Sequence, residues 1–179
     1  CHGGVEQELR RPATHPVAKS GDCAKCHASH GGETHGLLVQ KPTQLCGSCH
    51  TDIAKKAAGP GGHTVVARGE CAACHEPHGS REAHLLKAGA KELCVTCHAS
   101  VGKDGDHVHQ PVKDNDCLRC HDAHGGPAPP SLAKAVPALC QDCHDGATGP
   151  MKLAHSGSDV TGGRCLDCHT AHAAKRAGL

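Results

Sequence analysis

The apolar positions of this 179-residue chain form no run long enough to cross a bilayer. Leucine recurs instead as an isolated residue or pair: Leu45, Leu93 and Leu139 each precede a cysteine, and Leu37-Leu38, Leu85-Leu86 and Leu132 fall between cysteine groups. Glycine and proline, 23 and 11 residues, interrupt the intervening chain. This patterning predicts a mostly irregular fold with short α-helices: one helical turn at each cysteine group, longer segments near Lys41–Cys46 and Ser131–Cys140, and loops elsewhere.

The cysteines explain the pattern. Cys-x-x-Cys-His occurs at Cys23-Cys26-His27, Cys46-Cys49-His50, Cys71-Cys74-His75, Cys94-Cys97-His98, Cys117-Cys120-His121, Cys140-Cys143-His144 and Cys165-Cys168-His169. Two thiols three positions apart on a helical turn can each form a thioether to one porphyrin, and the histidine then lies beneath the iron, so the motif predicts c-type haem attachment. Zinc ribbons also use paired Cys-x-x-Cys, but four thiolates complete a tetrahedral site without an adjacent histidine. Thioredoxin-type dithiols need a βαβ context, and iron–sulfur ligation needs clustered cysteines.

The motifs start 23, 25, 23, 23, 23 and 25 residues apart. Those at Cys23, Cys71, Cys117 and Cys165 carry a further histidine three residues past the motif histidine: His30, His78, His124 and His172. The repeat is therefore a doubled unit with a fixed internal step of 23 residues and a variable return. Another histidine, His15, His63 or His109, stands eight residues before a first-type motif, and His155 stands ten before the last. These are the expected distal ligands: His15, His63, His109 and His155 to the haem that follows each, and His30, His78, His124 and His172 to the neighbouring haem of a pair.

Cys1-His2 is in register with the end of an eighth motif, because His2 lies 21 residues before Cys23 as His50 does before Cys71. That reading is favoured over a lipidated amino terminus. The organisation expected is 1–14 as the end of a truncated unit, doubled units at 15–62, 63–106 and 107–154, a half unit at 155–179, and one continuous array of seven haems c, or eight with Cys1 and His2. His35, His84 and His107 fall outside the repeat as surface or supporting residues, Met151 reads as a gap-filler, and the leucine pairs are expected against porphyrin faces.

Seven motifs share the chain at roughly 25 residues each, too few for a side-chain core around every cofactor, so the haems themselves are expected to form the core. The absence of Phe, Tyr and Trp agrees. A formal charge of +1 gives no basis for nucleic-acid binding. Nineteen histidines would suggest a pH sensor, but iron-bound imidazoles do not titrate normally. Because haem is attached covalently outside the cytoplasmic membrane, a periplasmic or extracellular location is expected.

The run from His63 to His98, with Glu76-Pro77-His78-Gly79-Ser80 at its centre, resembles the doubled-CxxCH multihaem cytochromes. Within them it is most similar to the periplasmic decahaem cytochromes that thread an outer-membrane porin in metal-respiring bacteria. The resemblance implies bis-histidine haems in a chain and electron relay across the cell envelope. Other cytochromes or redox proteins are then the expected partners, with a porin or self-association into a filament as further possibilities. The alternative is a multihaem reductase of the nitrite, hydroxylamine or tetrathionate kind, which needs an iron with an open position, often marked by lysine in place of a motif histidine. No motif carries that change, so a non-enzymatic relay is expected.

Overall fold

A computed structural model describes residues 2–31, 34–147 and 149–178, apart from the side chain of His35. Cys1 and the His35 side chain therefore lie outside what is described. Nine short helices follow one another among the described residues: α1 Gly3–Glu8, α2 Pro16–Lys19, α3 Pro42–Gly47, α4 Thr51–Ala58, α5 Thr64–Ala67, α6 Ala90–Cys97, α7 Gln110–Lys113, α8 Ala138–Gln141 and α9 Gly149–Ala154. None is long and apolar enough to cross a membrane.

The two motif types fold differently. First-type motifs form single 3-10 turns, Cys23–Lys25, Cys71–Ala73, Cys117–Arg119 and Cys165–Asp167. Second-type motifs begin within α3, α6 and α8, where the preceding leucine belongs to the same helix. Every motif closes alike: the backbone N–H of the motif histidine donates to the carbonyl of the first cysteine at 2.9–3.0 Å. The expected helix near Lys41–Cys46 is α3, whereas of Ser131–Cys140 only the last three residues are helical, within α8. The α4 helix, ended by Gly59, was not expected; it carries Asp52 in its first turn and Lys55 and Lys56 in its last, favourable to the helix dipole.

Six two-residue strands join the repeat. β1 Ala13–Thr14 pairs antiparallel with β3 Gly79–Ser80, β2 Gly61–Gly62 with β5 Gly125–Gly126, and β4 His107–Val108 with β6 Ala173–Ala174. Each pair bridges the start of one unit to the first motif of the next. Inside a unit, the chain after the motif histidine loops back so that His27, His75 and His121 form isolated bridges with Leu38, Leu86 and Leu132.

Among the described residues no hydrophobic side chain is buried, and Ser80 is the buried polar residue. The accessible surface is 12232 Å², against about 8,100 Å² for a compact monomer of this mass. Protein atoms alone thus leave about half as much surface again open as a side-chain core would.

Candidate haem centres

The distal histidines sit where the strands place them. His15, His63 and His109 follow β1, β2 and β4 directly and act as N-caps of α2, α5 and α7. Their backbone N–H groups donate to the carbonyls of His78, His124 and His172, at 2.9, 3.5 and 2.9 Å. Two distal histidines from consecutive units are therefore tied together at each seam.

Each tied pair serves the two motifs of one unit. His78 faces His27 with ring centres 5.9 Å apart, and His15 faces His50 at 6.1 Å. His124 faces His75 at 6.0 Å and His63 faces His98 at 6.2 Å. His172 faces His121 at 6.0 Å and His109 faces His144 at 5.9 Å. The seventh pair is His155 with His169, at 5.8 Å.

Two metal–nitrogen bonds of about 2.0 Å on opposite sides of one ion, plus about 1.1 Å from each nitrogen to its ring centre, give about 6.2 Å. The seven separations span only 0.4 Å while the interplanar angles run from 13° to 69°. A shared ion fixes the distance and leaves each ring free to rotate about the axis. Each pair fits the two axial positions of one haem, beside a Cys-x-x-Cys that can form both thioethers.

This geometry corrects the expected pairing. His15, His63 and His109 do not face the motif eight residues ahead but the second motif of their unit, because the strand pairing turns them toward His50, His98 and His144. His155 alone faces the motif that follows it. It comes after α9 instead of a strand, and its ring Nδ1–H donates to the Met151 carbonyl at 2.8 Å. His78, His124 and His172 reach back to the first motif of the preceding unit, not to the neighbour within a pair. His2 and His30 face no motif histidine among the described residues.

Support for the motif ligands comes from the backbone. Nδ1–H of His27, His75, His121 and His169 donates to the carbonyl nine residues on, of Gly36, His84, Pro130 and Gly178, at 2.7–3.0 Å. That bond fixes the tautomer and leaves Nε2 as the donor to a metal. The acceptors share the nine-residue offset but not the residue type, since the contact is made by the backbone; His84 acts through its carbonyl. Burial first, then the facing imidazoles, lowers His15, His124 and His172 below the ordinary histidine range, which favours the neutral form that ligates. At His78 the Nδ1–H partner is Glu8 Oε2, 3.0 Å away, a contact 70 residues apart in sequence that motif spacing could not show.

The attachment cysteines follow one another in chain order. Cys46 and Cys71 share a hydrogen bond that raises the Cys46 thiol and lowers that of Cys71. Burial and then Cys117 raise Cys94, and burial and then Cys165 raise Cys140. Cys26, Cys74 and Cys120 add smaller influences on Cys46, Cys94 and Cys140. Each attachment site thus adjoins the next along the chain. Among the described residues no three cysteine, histidine or acidic side chains converge on a protein-only metal site of the zinc kind.

A family model described as the doubled CXXCH motif matches residues 15–55, 63–103 and 109–149. The three matches begin on His15, His63 and His109. No curated protein matches the chain.

Proposed function

Because the chain belongs to the doubled CXXCH motif family, a set of repeated c-type haem attachment units, we propose that it relays electrons through seven bis-histidine haems, with an eighth if Cys1 and His2 complete another site. The observation that carries this reading is the set of seven ring pairs, each joining one motif histidine to one non-motif histidine at 5.8–6.2 Å. No complete motif is left with an open opposite face, which a reductase would need.

Bound haem supplies a reversible one-electron couple at iron. The chain's residues do the rest. The cysteines hold each group covalently, the paired histidines fix its orientation and exclude small ligands, and the backbone carbonyls beyond each first-type motif hold the ligand tautomer. Anchors adjoining one another in chain order support a linear path with entry and exit at different ends. A periplasmic or extracellular setting, with other cytochromes or redox proteins as partners, suits covalent haem attachment.

Carbon monoxide tests the relay. The ferrous native protein is expected to bind none, and the ferric protein to show only low-spin signals by electron paramagnetic resonance. Carbon monoxide binding by an appreciable fraction of the haem without denaturant would replace the relay with an enzyme carrying an open iron.

A further inference from the structure

Consecutive units carry opposite charges at the same place. Glu8 stands seven residues before His15, and Lys56 stands seven before His63. The carbonyl of Glu8 lies against Gly79, just past His78, and that of Lys56 lies against Gly125, just past His124, so the two positions are equivalent in space as well as in the repeat. Their side chains act differently. Glu8 Oε2 accepts from Nδ1–H of His78, with the two side chains only 25% and 28% exposed. Lys56 Nζ donates to Asp122 Oδ2 at 2.6 Å and Asp122 Oδ1 accepts the backbone N–H of His124 at 3.0 Å, so at the His124 ring the Asp122 carboxylate and the Lys56 ammonium act in opposite directions. The third equivalent position, Gly102, has no side chain to contribute.

We propose that Glu8 sets a reduction potential: acting through His78, it makes the haem of Cys23 and Cys26 harder to reduce than the haem of Cys71 and Cys74, whose distal histidine has Lys56 in the corresponding place. A carboxylate that accepts from Nδ1–H raises the basicity of the imidazole and places a negative charge near the iron. Both effects favour the ferric state over the ferrous, and partial burial keeps the charge from full screening. The two first-type centres, built on the same scaffold, are thereby offset, and electrons run downhill from the Cys23 site toward the Cys71 site. The inference rests on reading His27 and His78 as the two axial ligands of one iron.

The test is a redox titration of the haem-loaded protein followed by NMR of the haem methyl signals, assigned through contacts to each motif. In Glu8→Gln the side chain can still accept the hydrogen bond but carries no charge. The haem of Cys23 and Cys26 is expected to become easier to reduce by about tenfold in its equilibrium, about 59 mV for one electron, while remaining low-spin. Lys56→Gln is expected to make the haem of Cys71 and Cys74 harder to reduce. An unchanged potential at the Cys23 haem in Glu8→Gln, a shift shared equally by all the haems, or conversion of that haem to high spin overturns the proposal and leaves the bis-histidine reading standing. A high-spin haem in the unsubstituted protein would sink that reading itself.

Discussion

At the scale of the residue, the facing ring pairs join histidines far apart in sequence, so one substitution reports on the proposed ligation. His78→Ala is expected to convert the haem of Cys23 and Cys26 to high spin and to leave the haem of Cys71 and Cys74, only a few residues from position 78, low-spin. Electron paramagnetic resonance of the ferric protein, with the high-spin haem located by NMR, checks this; a high-spin signal at the Cys71 site would reverse the pairing. Spacing alone singles out His15, His63, His78, His109, His124, His155 and His172, and each of these meets a motif histidine. Which partner each takes was not legible. Closeness along the chain suggested His15 with the Cys23 motif, but the short α2 helix and the pairing of β1 with β3 turn it to His50. Glu8 was invisible for a related reason: nothing in a motif marks a carboxylate that meets its histidine 70 residues on.

At the scale of the element, the seams are the weakest-looking parts and the most demanding. A two-residue strand has no alternation to read, so β1 to β6 left no trace in the hydrophobic pattern, whereas the helical turns at the motifs were fixed by haem chemistry. Gly125 in β5 shows what a seam requires. It has φ +135°, and a Cβ there would lie 2.6 Å from the Lys56 carbonyl. Gly125→Ala is therefore expected to cost about 1–3 kcal/mol through backbone strain, before the clash is added. Thermal melting followed by the Soret circular dichroism would report it, and an unchanged transition would mean that the seam does not limit stability. Ser80 holds the corresponding place beside Gly79: its hydroxyl donates to the Leu86 carbonyl and accepts from the Glu82 N–H at 3.0 Å. That ties β3 to the loop behind His75.

At the scale of the whole molecule, the chain has no buried apolar residue among those described and far more surface than its mass predicts, as expected when cofactors supply the interior. Dependence between neighbours follows from the ligand pairing. A separate 63–106 segment retains His63 for the haem of Cys94 and Cys97 but loses His124, the partner of His75. Attached to two haems, it is expected to bind carbon monoxide at one, about half of its haem, where the full chain binds none; a wholly low-spin segment would show that units complete themselves. The seams give the array a further property. In the proposed ligation, the irons at His27, His75 and His121 would each borrow a histidine from the following unit, and each lender offers the same short strand to the same kind of recipient. An in-frame duplication of one unit then creates a working joint on both sides of the copy, so such an array can be lengthened by whole units without redesigning any of them.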